Sequence, residues 1–155
     1  MILEHAFIGD LLRYLWKRGI YTVEVLRSEV DDSGYDIILE YNAIVRHIQL
    51  KSSFDGSTTQ SVKVHTKLQH KPGGCVIWIV FNKDNLDFQE FRWFGNPPGE
   101  RLPDISKFPV ANHTKADSTG RKNERPDIRT ISRKHFTRLY TIDDIANKLF
   151  DLVQT

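Results

Sequence analysis

Tyr35-Asp36-Ile37-Ile38-Leu39-Glu40-Tyr41-Asn42-Ala43-Ile44-Val45-Arg46-His47-Ile48-Gln49-Leu50-Lys51 decides the fold. Both halves are rich in β-branched and aromatic residues, and only Asn42-Ala43 separates them, so the stretch reads as two strands joined by a tight hairpin. If Tyr41 pairs with Ile44, Asp36 falls opposite Gln49, with Cβ atoms roughly 5 Å apart. Strand side chains alternate, so Asp36, Gln49 and Lys51 share one face, while Ile37, Leu39, Tyr41, Ile44, Ile48 and Leu50 form the apolar face that is buried. A sheet that has a good apolar face and still gathers a carboxylate, an amide and an ammonium on the other offers a site.

Before this hairpin, residues 3–18 read as an amphipathic helix ending at Gly19. Leu3, Phe7, Ile8, Leu11, Leu12 and Leu15 form its stripe, and Glu4 falls near the stripe's middle. A carboxylate aimed inward needs a cation, a donor or a proton. Tyr21 to Arg27 alternates as a strand, and Asp31-Asp32-Ser33-Gly34 turns the chain into Tyr35.

The hairpin and its flanks resemble the PD-(D/E)XK nuclease superfamily, in which an Asp opens one strand and a (D/E)XK tripeptide lies in the next. Here the tripeptide is Gln49-Leu50-Lys51, which is similar to the Gln-X-Lys variant of Mrr-type restriction enzymes. The resemblance covers about residues 3–82, in the order helix, strand, strand, strand, helix, strand. It implies a restriction-endonuclease-like α/β core with a mixed central sheet flanked by helices, and it assigns the second helix to residues 60–70, although Val62-Lys63-Val64-His65 also fits a strand.

It further implies a metal-dependent endonuclease acting on nucleic acid, DNA foremost. Asp36, Gln49, the Leu50 carbonyl and Glu4 would hold Mg²⁺, with Mn²⁺ as substitute, and Lys51 would position water and phosphate. Two cuts in a duplex would favour a homodimer. The rival readings are a catalytically inactive nucleic-acid-binding module on the same fold, and a structural or protein-interaction domain.

Beyond residue 82, Phe88 to Phe94 suits an antiparallel edge strand beside Cys75-Val-Ile-Trp-Ile-Val-Phe81, and Gly95-Asn-Pro-Pro-Gly99 ends that hairpin. Pro103, Pro109 and Pro126 interrupt residues 100–132, which read as an irregular surface excursion. Thr141-Ile-Asp-Asp144 is the capping box of a last helix over 145–152, with Ile145, Leu149, Phe150 and Val153 turned to the core.

The 155 residues suit a single domain: a core over about 3–94, then an irregular basic extension and closing helix over 95–155. One cysteine, Cys75, allows no internal disulfide and fits a reducing, cytoplasmic compartment, and no apolar run approaches the length of a membrane span. The net charge of +2 is uneven, because residues 96–135 carry +4 and the remainder −2. His113, Lys115, Arg121, Lys122 and Arg125 of that segment are the expected phosphate contacts. The histidines lack zinc-ligand spacing, and Gly73-Gly74 lacks the P-loop lysine pattern. Ser53 shares a strand face with Lys51 but sits about 7 Å along it, with no oxyanion hole in view.

Overall fold

The computed structural model describes residues 2–30, 33–116 and 122–152; the side chains of 113–116 and 122–125 lie outside that description. The chain is a mixed α/β structure. Helix α1 (Ile2–Lys17) buries Phe7, Leu11 and Leu15, while Leu12, expected on the same stripe, is exposed at its edge. Gly19, at φ +78°, closes the helix in the left-handed conformation that glycine adopts without steric cost. There the Ile20 N–H donates to the Leu15 carbonyl and the Gly19 N–H to the Trp16 carbonyl, the paired bonds of a Schellman cap.

Strands β1 (Glu24–Arg27), β2 (Ile37–Tyr41) and β3 (Ile44–Phe54) form an antiparallel meander. The hairpin has the expected register, with Tyr41 opposite Ile44 and Ile37 opposite Ile48. Asn42 and Ala43 both take positive φ, as a two-residue turn matched to strand twist requires. Strand β5 (Cys75–Phe81) runs parallel to β3, and β6 (Phe88–Gly95) pairs antiparallel with β5, as expected. Burial pushes the Cys75 thiol up to about 12, so it behaves as a small apolar side chain.

The segment expected as a helix over 60–70 is not one. It is β4 (Ser61–His65) followed by a 3₁₀ turn, Thr66–His70. Val62 and Val64 are buried and Lys63 and His65 are not, so a two-residue period with β-branched inward positions overrides helix formation. The excursion expected over 100–132 is also more regular than its prolines imply, for it contains β7 (Val110–Ala116) and β8 (Lys122–Ser132). A short β9 (Thr137–Leu139) and helix α2 (Ile142–Phe150) complete the chain. Thr141 and Asp144 make the reciprocal bonds of the capping box. Ile145, Leu149 and Phe150 are buried as expected, and Val153 lies outside the described residues.

Two sheets result. The central one has the order β1-β2-β3-β5-β6-β9, mixed in direction, and the second has the order β4-β8-β7. Both α-helices pack on the same face of the central sheet, where Phe7, Leu11, Leu15, Ile145 and Leu149 meet Ile37, Leu39, Ile48, Ile77 and Ile79. The opposite face is covered by the second sheet, not by a helix: Val62, Val64 and Ile131 pack on Val76, Trp78, Val80 and Phe94. Asp36, Gln49 and Lys51 belong to that second, partly roofed face.

Two charged side chains, Arg46 and Glu90, are buried among the described residues, and Arg46 lies within the apolar layer beneath the helices. Arg46 is fully buried on the helix side, where it donates through Nε to the Leu149 carbonyl and through Nη2 to the carbonyls of Lys148 and Asn96. It thereby caps the negative C-terminal end of α2 and stacks 5.4 Å from the Trp93 ring.

Candidate active site

Asp36 is placed by the backbone around it. Its N–H donates to the Ile48 carbonyl at 2.8 Å, and its own carbonyl accepts from the Ser28 N–H at 2.9 Å, so β3 and the chain just after β1 hold it from both sides. One carboxylate oxygen, Oδ2, accepts the Leu50 N–H at 2.7 Å. The carbonyl of a strand residue points the same way as its N–H, so the Leu50 carbonyl is directed to the Asp36 side, beyond the first residue of β2.

Asp36, Gln49 and Lys51 line one cavity of about 280 Å³, together with Gly34, Tyr35, Lys63, His65 and Ile128. The three side chains do converge, but the pairing expected between Asp36 and Gln49 is not what brings them together: the paired register ends at Ile37 opposite Ile48, and Asp36 bonds to the same Ile48 from just before β2. Gly34 itself passes close beneath the 3₁₀ turn of Thr66–His70: at φ +85°, an added Cβ there would stand 3.2 Å from the Leu68 nitrogen and 3.3 Å from the Lys67 Cβ. Burial raises the Asp36 pKa above the usual carboxylate range and the nearby Glu4 charge adds to the rise, against the Leu50 N–H and Lys51, which oppose it. Gln49 Oε1 is buried and has no hydrogen-bond partner among the described residues. A buried acceptor without a donor is costly, and it belongs to a residue that lines the same cavity as a partly desolvated carboxylate.

Glu4 reaches the edge of this cluster. Its Oε1 is held by Arg27 Nε at 2.8 Å, so the inward carboxylate of α1 has found a cation on β1, and it does not line the cavity. Arg27 also contacts His5 Nε2 at 3.2 Å. Ser53 Oγ accepts from Trp78 Nε1 at 2.9 Å, which ties it to the core instead of to Lys51.

Two cavity residues, Lys63 and His65, escaped the sequence reading because β4 was expected as a helix. The alternation Val62-Lys63-Val64-His65 is the signal that places them. Lys63 Nζ approaches the Asn112 carbonyl at 3.4 Å. His65 Nδ1 accepts from the Lys67 N–H at 3.1 Å, so in the neutral ring Nε2 bears the proton. His47, two residues before Gln49 on the same face, contacts the Pro72 carbonyl through Nδ1 at 2.6 Å, and burial lowers its pKa.

Of the expected phosphate contacts, His113 and Lys115 fall on β7 and Lys122 and Arg125 on β8, with Lys122 opposite Ala116 and Arg125 opposite Ala111. Their side chains lie outside the described residues, as does Arg121 altogether.

The donor set suits a hard cation. Among the described residues no three His, Cys, Asp or Glu side chains converge as a metal site, so a cation here would be held by carboxylate, amide and carbonyl oxygens, the ligands of Mg²⁺ and Mn²⁺. The orphaned Gln49 Oε1 fits that role.

No family model and no curated protein matches the chain. Among solved structures it is similar to a bacterial homing endonuclease, I-Ssp6803I, at 17% identity and a TM-score of 0.33, over 76% of this chain and 82% of that one. No helix among the described residues is long and apolar enough to cross a membrane.

Proposed function

We propose that the protein is a metal-dependent nuclease, cleaving phosphodiester bonds of DNA at the Asp36-Gln49-Lys51 cavity. One observation carries this reading: Asp36, a carboxylate with a raised pKa, and Gln49, whose amide oxygen is buried and unpartnered among the described residues, line the same small cavity as Lys51. A surface hydrogen-bond cluster would have satisfied Gln49, whereas a site that awaits an electropositive ligand leaves it open.

Asp36, Gln49 and the Leu50 carbonyl would hold Mg²⁺ or Mn²⁺, with Glu4 at the edge, and the cation would polarise the phosphoryl oxygen and neutralise developing charge. The rest falls to the chain's own groups. The Lys51 ammonium donates to phosphate or water and orients them, a safer role than base beside carboxylates that favour its charged form. Lys63 and His65, across the cavity on β4, add donors suited to non-bridging phosphate oxygens. The Leu50 N–H fixes one Asp36 oxygen and so leaves the other for the ligand. Cutting both strands of a duplex needs two such sites, which a homodimer would supply.

The test is nicking of supercoiled plasmid with Mn²⁺ or Mg²⁺, with Lys51→Ala alongside. Wild-type nicking that EDTA stops and Lys51→Ala abolishes is expected. A folded wild type that binds DNA and never nicks it with either metal would overturn the reading in favour of an inactive binding module.

A further inference from the structure

A second cleft, of about 290 Å³, is lined by Glu90, Arg92, Arg133, Lys134, Phe136 and Arg138. Four cations thus face one carboxylate. Glu90 is buried, with one oxygen taken by Arg92 Nη2 at 3.1 Å and the other by Arg138 Nε. Arg92 lies 4.5 Å from the Trp78 ring, and its Nη1 has no hydrogen-bond partner among the described residues. An ion-pair network that fastens β9 to β6 would account for Glu90, Arg92 and Arg138. It does not account for Arg133 and Lys134, which lie on the 3₁₀ turn Arg133–His135 and make no ion pair with a described residue. Their surplus charge, set in a concave wall beside apolar Phe136 and Trp78, concentrates a positive potential there. A guanidinium already held by ring and carboxylate loses little further freedom when it meets a phosphate.

The cleft and the candidate active site share a face. Lys51 is opposite Trp78, Trp78 is opposite Arg92, and Arg92 is opposite Arg138, and residues opposite one another project to the same side. At about 4.8 Å per strand, Arg92 is about 10 Å and Arg138 about 14 Å from Lys51. Trp78 between them is covered by the second sheet, and β4, the edge strand of that sheet, leads from one place to the other. Its last residue, His65, lines the cavity. The carbonyl of Gln60, just before its first residue, accepts the Arg133 N–H at 2.9 Å.

We propose that Arg92, Arg133, Lys134 and Arg138 form a phosphate-binding subsite for the nucleic-acid strand whose reacting phosphate lies at Lys51. The inference rests on the nuclease reading for the identity of its ligand. A separation of about 14 Å is a few phosphates along one strand of a duplex, so the subsite would hold the strand within a few nucleotides of the cut and read no sequence.

The experiment is a fluorescence anisotropy titration of a labelled duplex, in EDTA and at several salt concentrations. It compares wild type with the triple variant Arg133→Ala, Lys134→Ala, Arg138→Ala, folding being checked by circular dichroism. Three lost phosphate contacts should lower the slope of log affinity against log salt by about 2.7 and weaken all duplex sequences alike. A folded triple variant with an unchanged slope would overturn the proposal. Should the triple variant fail to fold, the double variant Arg133→Ala, Lys134→Ala disturbs no described ion pair and should still lose about 1.8 of slope, and an unchanged slope there is equally fatal. Plasmid nicking is scored separately: a lowered slope without wild-type nicking keeps the subsite and sinks the nuclease, and nicking with an unchanged slope does the reverse.

Discussion

Replacing Gln49 by glutamate probes the candidate site through the stability of the fold, independently of catalysis. Asp36 stands just before β2 and lines the same cavity as Gln49, so a second carboxylate at position 49 would stand roughly 6 Å from the first. At an effective dielectric of about 20, two unit charges at that distance repel by about 3 kcal/mol. Protonation limits the penalty, because Asp36 already has a raised pKa and would take up a proton sooner beside a second carboxylate. For a chain of this size each kcal/mol is worth about 2–4 °C in Tm, so the unrelieved repulsion sets an upper bound of about 6–12 °C on the lowering of Tm by Gln49→Glu at neutral pH in EDTA. A divalent cation between the two carboxylates converts the repulsion into attraction and stabilises the folded state by mass action. Millimolar Mn²⁺ or Mg²⁺ should therefore raise the Tm of Gln49→Glu more than that of wild type, and should leave Asp36→Ala unmoved. Differential scanning calorimetry with and without metal reads all three. If Gln49→Glu melts with wild type in EDTA, the two side chains do not face one another; if it is destabilised and no metal restores it, the cavity holds no cation.

Asp36 itself should cost the fold stability at neutral pH. Its raised pKa means that the native state binds a proton more readily than the unfolded chain, so the penalty is present above the folded pKa and disappears as pH falls toward the ordinary carboxylate value. Asp36→Asn, which retains an oxygen for the Leu50 N–H, should accordingly have a higher Tm than wild type at pH 7, and the gap should close on acidification; a gap independent of pH would refute the burial of that charge. Arg46→Met should destabilise the protein by at least the roughly 1.5–3 kcal/mol of one charge-assisted bond, since three carbonyls lose their donor, two of them at the end of α2. Urea denaturation should show a lower midpoint at unchanged slope, and an unchanged midpoint would mean that desolvating the guanidinium costs as much as its bonds return.

The hairpin was legible because two local constraints agree. A two-residue link admits one register, and the apolar alternation admits one choice of face, so the order of residues 35–51 is enough to place Asp36, Gln49 and Lys51 together. The capping box of α2 was legible for a like reason, as its two partners lie within one turn. Strands β7 and β8 were not, because prolines normally mark the end of regular structure. Pro126 is tolerated inside β8 since the register with β7 shifts there, between Val110 opposite Arg129 and Ala111 opposite Arg125, and pairing with β4 begins only at Ile128. Nothing in a strand pattern marks Arg46 as the cap of a helix a hundred residues away, for that role depends on where α2 ends.

The misreading of β4 bears most on the candidate chemistry. A helix over 60–70 would have flanked the sheet and left the face of Lys51 open, with Lys63 and His65 directed by a 3.6-residue period. As a strand, the same segment turns Val62 and Val64 onto Trp78 and carries Lys63 and His65 to the rim of the cavity. The roof it builds also removes water from Asp36, and burial is the main cause of that carboxylate's raised pKa. One alternating segment therefore closes the core, supplies two donors and tunes the acid. It also separates the cavity from the Arg92 cleft, so on the proposed function a bound strand would follow the edge of the second sheet from Lys51 toward Arg133. Charge on that face would then be distributed along a path, and the proposed binding of a polyanion needs no net charge larger than +2.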